Sequence, residues 1–87
     1  MNSQATSKFW KFYNRLPHHV QRQARKAYQL WVKDIRHPSL HFKRVDDQDP
    51  IYSARVSDSY RVLGFVEGNM IIWYWIGTHD EYERLLK

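Results

Sequence analysis

Hydrophobic positions along the chain change period once, from helical to extended. Phe9, Phe12, Tyr13 and Leu16 recur at i, i+3, i+4 and i+7, the spacing of one helix face, with Ser7 available as a cap and Pro17 forcing a break. A second stripe runs through Val20, Ala24, Ala27, Tyr28, Trp31 and Ile35, while Arg22, Arg25, Lys26 and Lys33 fall mostly on the other faces. Arg36-His37-Pro38-Ser39 ends that pattern. The two stripes predict a helical hairpin whose aromatic side needs a surface to cover.

After Pro38 the period becomes two. Leu40 to Val45 reads as a first strand, with Leu40, Phe42 and Arg44 on one face, and the acidic Asp46-Asp47-Gln48-Asp49-Pro50 reads as a solvated turn, since its spacing matches no calcium loop. Ile51–Val56, Tyr60–Val66 and Met70–Ile76 follow, separated by Ser57-Asp58-Ser59 and Glu67-Gly68-Asn69, connections short enough for antiparallel hairpins. The last of these strands is apolar on both faces, with Met70, Ile72, Tyr74 and Ile76 on one and Ile71, Trp73 and Trp75 on the other, so it belongs in the middle of the sheet. One face takes the helices. The other must be roofed by the C-terminal segment or stay open as a concave surface for a ligand or partner. Thr78 and Glu81 have the spacing of a capping box, which predicts a short final helix. The expected fold is therefore α+β: a helical hairpin on a mainly antiparallel four-stranded sheet with a short C-terminal helix, one domain over residues 1–87.

Composition sharpens this picture in three ways. A domain of 87 residues buries roughly 60–65% of the surface its unfolded chain exposes, so the four Trp, six Tyr and four Phe must supply much of the core. The absence of cysteine rules out a disulfide frame, a thiolate metal site and a Cys nucleophile, and fits a reducing cytoplasm. No apolar run of signal-peptide or membrane-spanning length is present, the longest being Met70–Ile76.

Charge is unevenly placed. Residues 1–45 hold ten Lys/Arg against the single acid Asp34, a net of +9, and residues 46–87 hold four Lys/Arg against eight Asp/Glu, a net of −4. A field of this kind attracts polyanions without distinguishing RNA from DNA, acidic lipid or an acidic protein, and it is equally the field of a solvated helix face. His18, His19, His37 and His41 have no spacing that completes a metal site and read as surface residues. Of Trp10, Trp31, Trp73 and Trp75, periodicity sends most to the core and leaves at most one to stack on a base.

The order helix, helix, four strands, together with two stretches of the second half, resembles a known family. Ile51-Tyr52-Ser53-Ala54-Arg55-Val56-Ser57-Asp58-Ser59-Tyr60-Arg61-Val62-Leu63 is similar to the strand, tight turn and Tyr-Arg strand of the RelE/ParE superfamily of bacterial toxins. Trp75-Ile76-Gly77-Thr78-His79-Asp80-Glu81-Tyr82 is similar to the Gly-x-His ending of its small ribonuclease-type members. The resemblance covers nearly the whole chain. It implies a type II toxin that forms a hetero-oligomeric complex with a cognate antitoxin, works in the cytoplasm and touches no membrane.

The superfamily divides by target. RelE-like members cut messenger RNA on the ribosome without a metal or other cofactor, and ParE-like members inhibit DNA gyrase by binding it; an inactive antitoxin-binding module is a third possibility. RNA cleavage through the ribose 2′-hydroxyl needs proton transfer at two oxygens and cations around the phosphorane. The resemblance assigns Arg61 to the transition-state arginine of the Tyr-Arg strand, Arg55 to a basic strand position, His79 to proton transfer and Tyr82 to the terminal tyrosine. It departs at Ser53, where RelE has a lysine, and at Tyr82, which lies nearer the motif glycine than the RelE tyrosine does. Lys43, Arg44, Arg22, Arg25 and Lys26 are the candidates for holding ribosomal RNA backbone, although Lys43 and Arg44 would equally guard a strand edge against aggregation.

Overall fold

The two amphipathic stripes fold as helices that lie on one face of a twisted sheet, as their spacing requires. In the computed structural model, which describes residues 1–86, α1 spans Ser7–Asn14 and α2 spans His18–Lys33. The cap of α1 is Thr6, one residue before the expected Ser7, and its hydroxyl accepts from the Phe9 N–H. α2 ends before Ile35, which is half-buried beyond the helix. α1 packs over the last strand and α2 over the first long one.

The sheet has five strands where four were expected. They are β1 (Asn2–Ala5), β2 (Lys43–Arg44), β3 (Ile51–Ser57), β4 (Tyr60–Glu67) and β5 (Met70–Thr78), in the order β1-β5-β4-β3-β2. β1 is the additional one. Its polar sequence shows no alternation, yet it runs parallel to β5, with Ser3 opposite Ile71 and Ala5 opposite Trp73, because a strand apolar on both faces leaves a free edge that the nearest segment of chain can satisfy. The expected first strand over 40–45 shrinks to Lys43–Arg44. Pro38 opens a 3-10 turn, and His41 takes a left-handed φ of 46°. Leu40 is still buried and Phe42 still stacks on Tyr52 at 5.1 Å, so the apolar positions of the pattern are used although the backbone between them is not extended.

β4 and β5 pair with one irregularity that decides the sheet's two faces. Leu63 lies opposite Trp75 and Gly64 opposite Trp73, so Tyr74 is an extra residue on β5. The expected alternation therefore breaks. Ile71, Trp73 and Ile76 share the helix-side core with Phe9, Tyr13, Trp31 and Ala54, while Trp75 turns to the other face and packs with Leu63 and Tyr82. Trp31 and Trp73 bury their indole N–H groups without a hydrogen-bond acceptor among the described residues, and the ring of Trp31 meets those of Trp73 and Phe42 edge-on, at 5.5 and 5.9 Å.

Gly64 is forced by this packing, since a Cβ there would sit 2.7 Å from both Ile71 Cδ1 and Trp73 Cε3, side chains that are fully or almost fully buried. Gly64→Ala is expected to cost about 1–3 kcal/mol by overpacking, read as a lower midpoint in urea unfolding.

The helix α3 spans His79–Leu85 and roofs part of the second face, placing Tyr82 on Leu63 and Trp75. Its capping box is complete: the Thr78 hydroxyl accepts from the Glu81 N–H, and the Glu81 carboxylate accepts from the Thr78 N–H and hydroxyl. Those bonds from Thr78 hold the Glu81 carboxyl below the usual glutamate range. A depressed acid stabilises the fold above its unfolded pKa, and the stabilisation is lost as pH falls through the lower folded value, so the cap is intact at neutral pH. No helix among the described residues is long and apolar enough to cross a membrane.

Candidate active site

Strand register builds the site at one end of the sheet. Arg55 on β3 and Arg61 on β4 are cross-strand partners, Arg61 is also opposite Gly77 on β5, and Tyr60 is opposite Thr78. His79 follows at once as the first residue of α3, and its backbone N–H bonds the Ser59 carbonyl of the β3–β4 turn at 2.8 Å. Arg55 and Arg61 are thereby brought to the same end of the sheet as His79, 18 residues beyond Arg61, each on a rigid element or directly beside one. The motif glycine has a packing reason: a Cβ on Gly77 would lie 2.5 Å from the ring of Trp75.

Arg61 is half-buried, and its Nη1 donates to the carbonyls of Ser57 and Tyr60, the latter at 3.0 Å. Its Nη2 and Nε have no partner among the described residues, so the guanidinium is anchored at one corner and free at the others. Of the two arginines it is Arg55 that pairs with Asp58, through Nη2. The register shift between Arg55 and Ser57 accompanies that choice. Asp58 is almost fully exposed, so the pair contributes little stability and a phosphate can compete for the arginine.

The His79 side chain is 39% exposed, with Nε2 3.2 Å from Glu83 Oε1 one helical turn on and its ring 5.8 Å from that of Tyr82. Tyr82 itself is buried, and its hydroxyl donates to Ser53 Oγ at 3.2 Å, a residue only 2% exposed. The burial and this bond seat α3 on the sheet, at the residue to which the resemblance assigns the catalytic terminal tyrosine. Tyr82→Phe is expected to cost about 1–2 kcal/mol of stability and to slow any cleavage by less than about tenfold. Ser53→Ala should do the same, and the double variant no more than either, because both remove one bond. A loss of 100-fold or more in Tyr82→Phe alone would give it the chemical role.

The remaining basic candidates separate into two groups. Lys43 and Arg44 are exposed on the edge strand β2, with Lys43 opposite Ser53 and Arg44 opposite Tyr52. Directly paired residues share a face, so Lys43 is on the face of Ser53, the position where the RelE lysine is missing. Sequence reading missed this because only the register of a two-residue strand reveals it. Arg22, Arg25 and Lys26 are exposed on α2, which covers the opposite face of the sheet from α3, and Arg25 is tied by Nη1 to the Tyr13 hydroxyl at 2.6 Å. They do not join the Arg61–His79 end. No three His, Cys, Asp or Glu side chains among the described residues are grouped as metal ligands.

A family model for the ParE-like toxin domain matches residues 18–84. The chain belongs to that family. Solved structures agree on the fold. The toxin of the RelB-RelE antitoxin-toxin complex from Methanococcus jannaschii superposes with a TM-score of 0.75 at 15% identity, covering 97% of this chain and 99% of that one. YafQ from E. coli strain BL21(DE3) gives 0.74 at 8% identity, covering 93% and 96%. The YoeB dimer from Staphylococcus aureus gives 0.69 at 12% identity, covering 91% and 97%. No curated protein is similar enough in sequence to count as a match. This ParE-like toxin is thus an α+β member of the RelE/ParE superfamily, with one more strand, β1, than its sequence pattern announces.

Proposed function

We propose that this toxin cleaves messenger RNA on the ribosome and is silenced by a cognate antitoxin. The observation that supports it is the convergence, by register alone, of Arg55, Arg61 and His79 at the end of β3, β4 and β5. The 2′-hydroxyl of a ribose gives its proton to solvent water and attacks the adjacent phosphate as the bond to the 5′-oxygen breaks, giving a 2′,3′-cyclic phosphate and a free 5′-hydroxyl. Charge builds on the non-bridging oxygens, where Arg61 is the principal cation and Arg55 a second. Lys43, opposite Ser53, is the candidate to supply the charge that the lysine of RelE supplies there. His79 gives a proton to the leaving 5′-oxygen.

A site with so few base-reading groups depends on the ribosome to align the 2′-hydroxyl with the phosphate, so naked RNA should be a poor substrate. The exposed cations of α2 are suited to ribosomal RNA backbone on the far side of the sheet, which makes binding salt-sensitive. Antitoxin–toxin complexes such as those from Methanococcus jannaschii and Pyrococcus horikoshii OT3 support an antitoxin partner here, one that covers the Arg61–His79 end directly or by bulk.

Pulse-labelling after induction tests the reading. A nuclease stops protein synthesis first; if DNA synthesis stops first, the protein is a gyrase inhibitor of the ParE kind and the nuclease reading falls.

A further inference from the structure

The helix side of the sheet holds an apolar cleft whose aromatic lining the RNA-cleaving reading does not use. It measures about 550 Å³ and lies between α1, α2 and the helix-side face of the sheet, with a floor of Trp31, Trp73 and Ile76 and walls that include Trp10 and Tyr28. That volume is within the range of small-molecule sites, roughly 300–1,000 Å³, and it is far larger than a packing defect. Trp10 and Tyr28 remain 49% and 45% exposed at its mouth, the two large aromatics of the chain least covered by its own fold.

Two features select the occupant. The mouth is spanned by side-chain hydrogen bonds that join α2 to its neighbours, Tyr28 Oη to Ser3 Oγ of β1 at 2.6 Å and Arg25 Nη1 to Tyr13 Oη of α1 at 2.6 Å. A body lying beneath these bridges can be a ring system or a short chain. A peptide helix, about 10–12 Å across with its side chains, would have to break them. The charge at the cleft is of one sign: Arg25 and Arg55 line it and no carboxylate does. Arg55 is matched by Asp58, but Arg25 has no acidic partner among the described residues.

We infer that this cleft is a binding site for a small, largely apolar and aromatic molecule with an anionic group, its ring body against Trp10 and Tyr28 at the mouth, above the buried indoles of the floor, and its charge on Arg25. The site shares Arg55 and Arg25 with the groups proposed to meet RNA, and its test needs no cleavage activity.

The four tryptophans provide the measurement. Three of them line the cleft, and Trp75 is on the opposite face of the sheet. Titration of the full chain with anilinonaphthalene sulfonate, followed by proton–nitrogen NMR, should saturate at one molecule per chain and move the indole signals of Trp10, Trp31 and Trp73 while that of Trp75 stays in place. The uncharged N-phenylnaphthylamine should bind about tenfold more weakly, and Arg25→Gln should weaken the sulfonate by a similar factor, the usual size of one charge-assisted hydrogen bond. Ala27→Trp, which fills the cleft, should abolish binding. If that variant fails to fold, Tyr28→Ala at the exposed mouth should weaken it about tenfold through loss of one aromatic wall. Non-saturating shifts, movement of Trp75 with the other three, or equal affinity for the uncharged amine would overturn the inference. It would also fall if the probe left the spectrum unchanged while an acidic amphipathic peptide seated in the cleft and broke the Tyr28–Ser3 bridge.

Discussion

Arg61→Ala is expected to lower single-turnover cleavage of messenger RNA on programmed ribosomes by about 100-fold or more, the usual worth of a preorganised group aimed at developing charge. The expectation rests on how the side chain is held. One corner of the guanidinium is fixed by the Ser57 and Tyr60 carbonyls, and the remaining nitrogens are without partners. A cation positioned in advance spends no reorganisation when charge appears on the phosphorane, and its planar fork matches two phosphate oxygens at once. Lysine at this position should therefore recover only part of the rate. It also cannot hold two carbonyls of the turn and a phosphate in the same geometry. Because Arg61 is half-buried, the variant's folding and ribosome binding need separate measurement. A variant that folds, binds ribosomes and cleaves at the normal rate would remove Arg61 from the chemistry.

For His79→Ala the expected loss is roughly 10²–10⁴-fold, the range of positioned acid–base catalysis. An imidazole is the side chain best suited to giving and regaining a proton near neutral pH. Its backbone is fixed by the bond to Ser59 and by the Thr78 cap, and Glu83 one turn on holds its Nε2 side. The ring is partly exposed and belongs to neither apolar cluster, so its loss should leave stability and antitoxin binding near normal. That separation makes the variant informative: a rate loss with intact folding places the effect in the chemical step. If His79→Ala and Arg61→Ala both fold, bind and remain fully toxic, toxicity does not come from RNA cleavage, and inhibition by protein binding takes its place.

Local signals account for the parts of this molecule that were legible in the chain. The stripes at Phe9–Leu16 and Val20–Ile35 became α1 and α2, each helix ending two residues short of its stripe, because a 3.6-residue period has one way to bury its apolar side. Pro17 separated α1 from α2, the short connections after Val56 and Val66 closed hairpins, and Thr78 with Glu81 started α3, each by chemistry confined to a few neighbouring residues. The Tyr-Arg strand and the Gly-x-His ending carried the family for the same reason, since both are contiguous in sequence and the family match covers them.

What the sequence determined by itself was therefore the three helices, the three long strands, their order and the residue types available to a site. Only the tertiary structure decided which of them meet. β1 exists because the edge of β5 needed a partner, a demand invisible in the polar Asn2–Ala5. One extra residue at Tyr74 sent Trp75 to the face of Tyr82 and left Ile76 with the helices, because side chains alternate with a period of two and a single insertion exchanges the faces beyond it. The same kind of shift, between Arg55 and Ser57, accompanies the pairing of Asp58 with Arg55 and leaves Arg61 free of any carboxylate. The burial of Tyr82 on Ser53, 29 residues away, and the placing of Lys43 opposite that serine are long-range facts of register. No periodicity encodes them, because they follow from which backbone groups bond across the sheet.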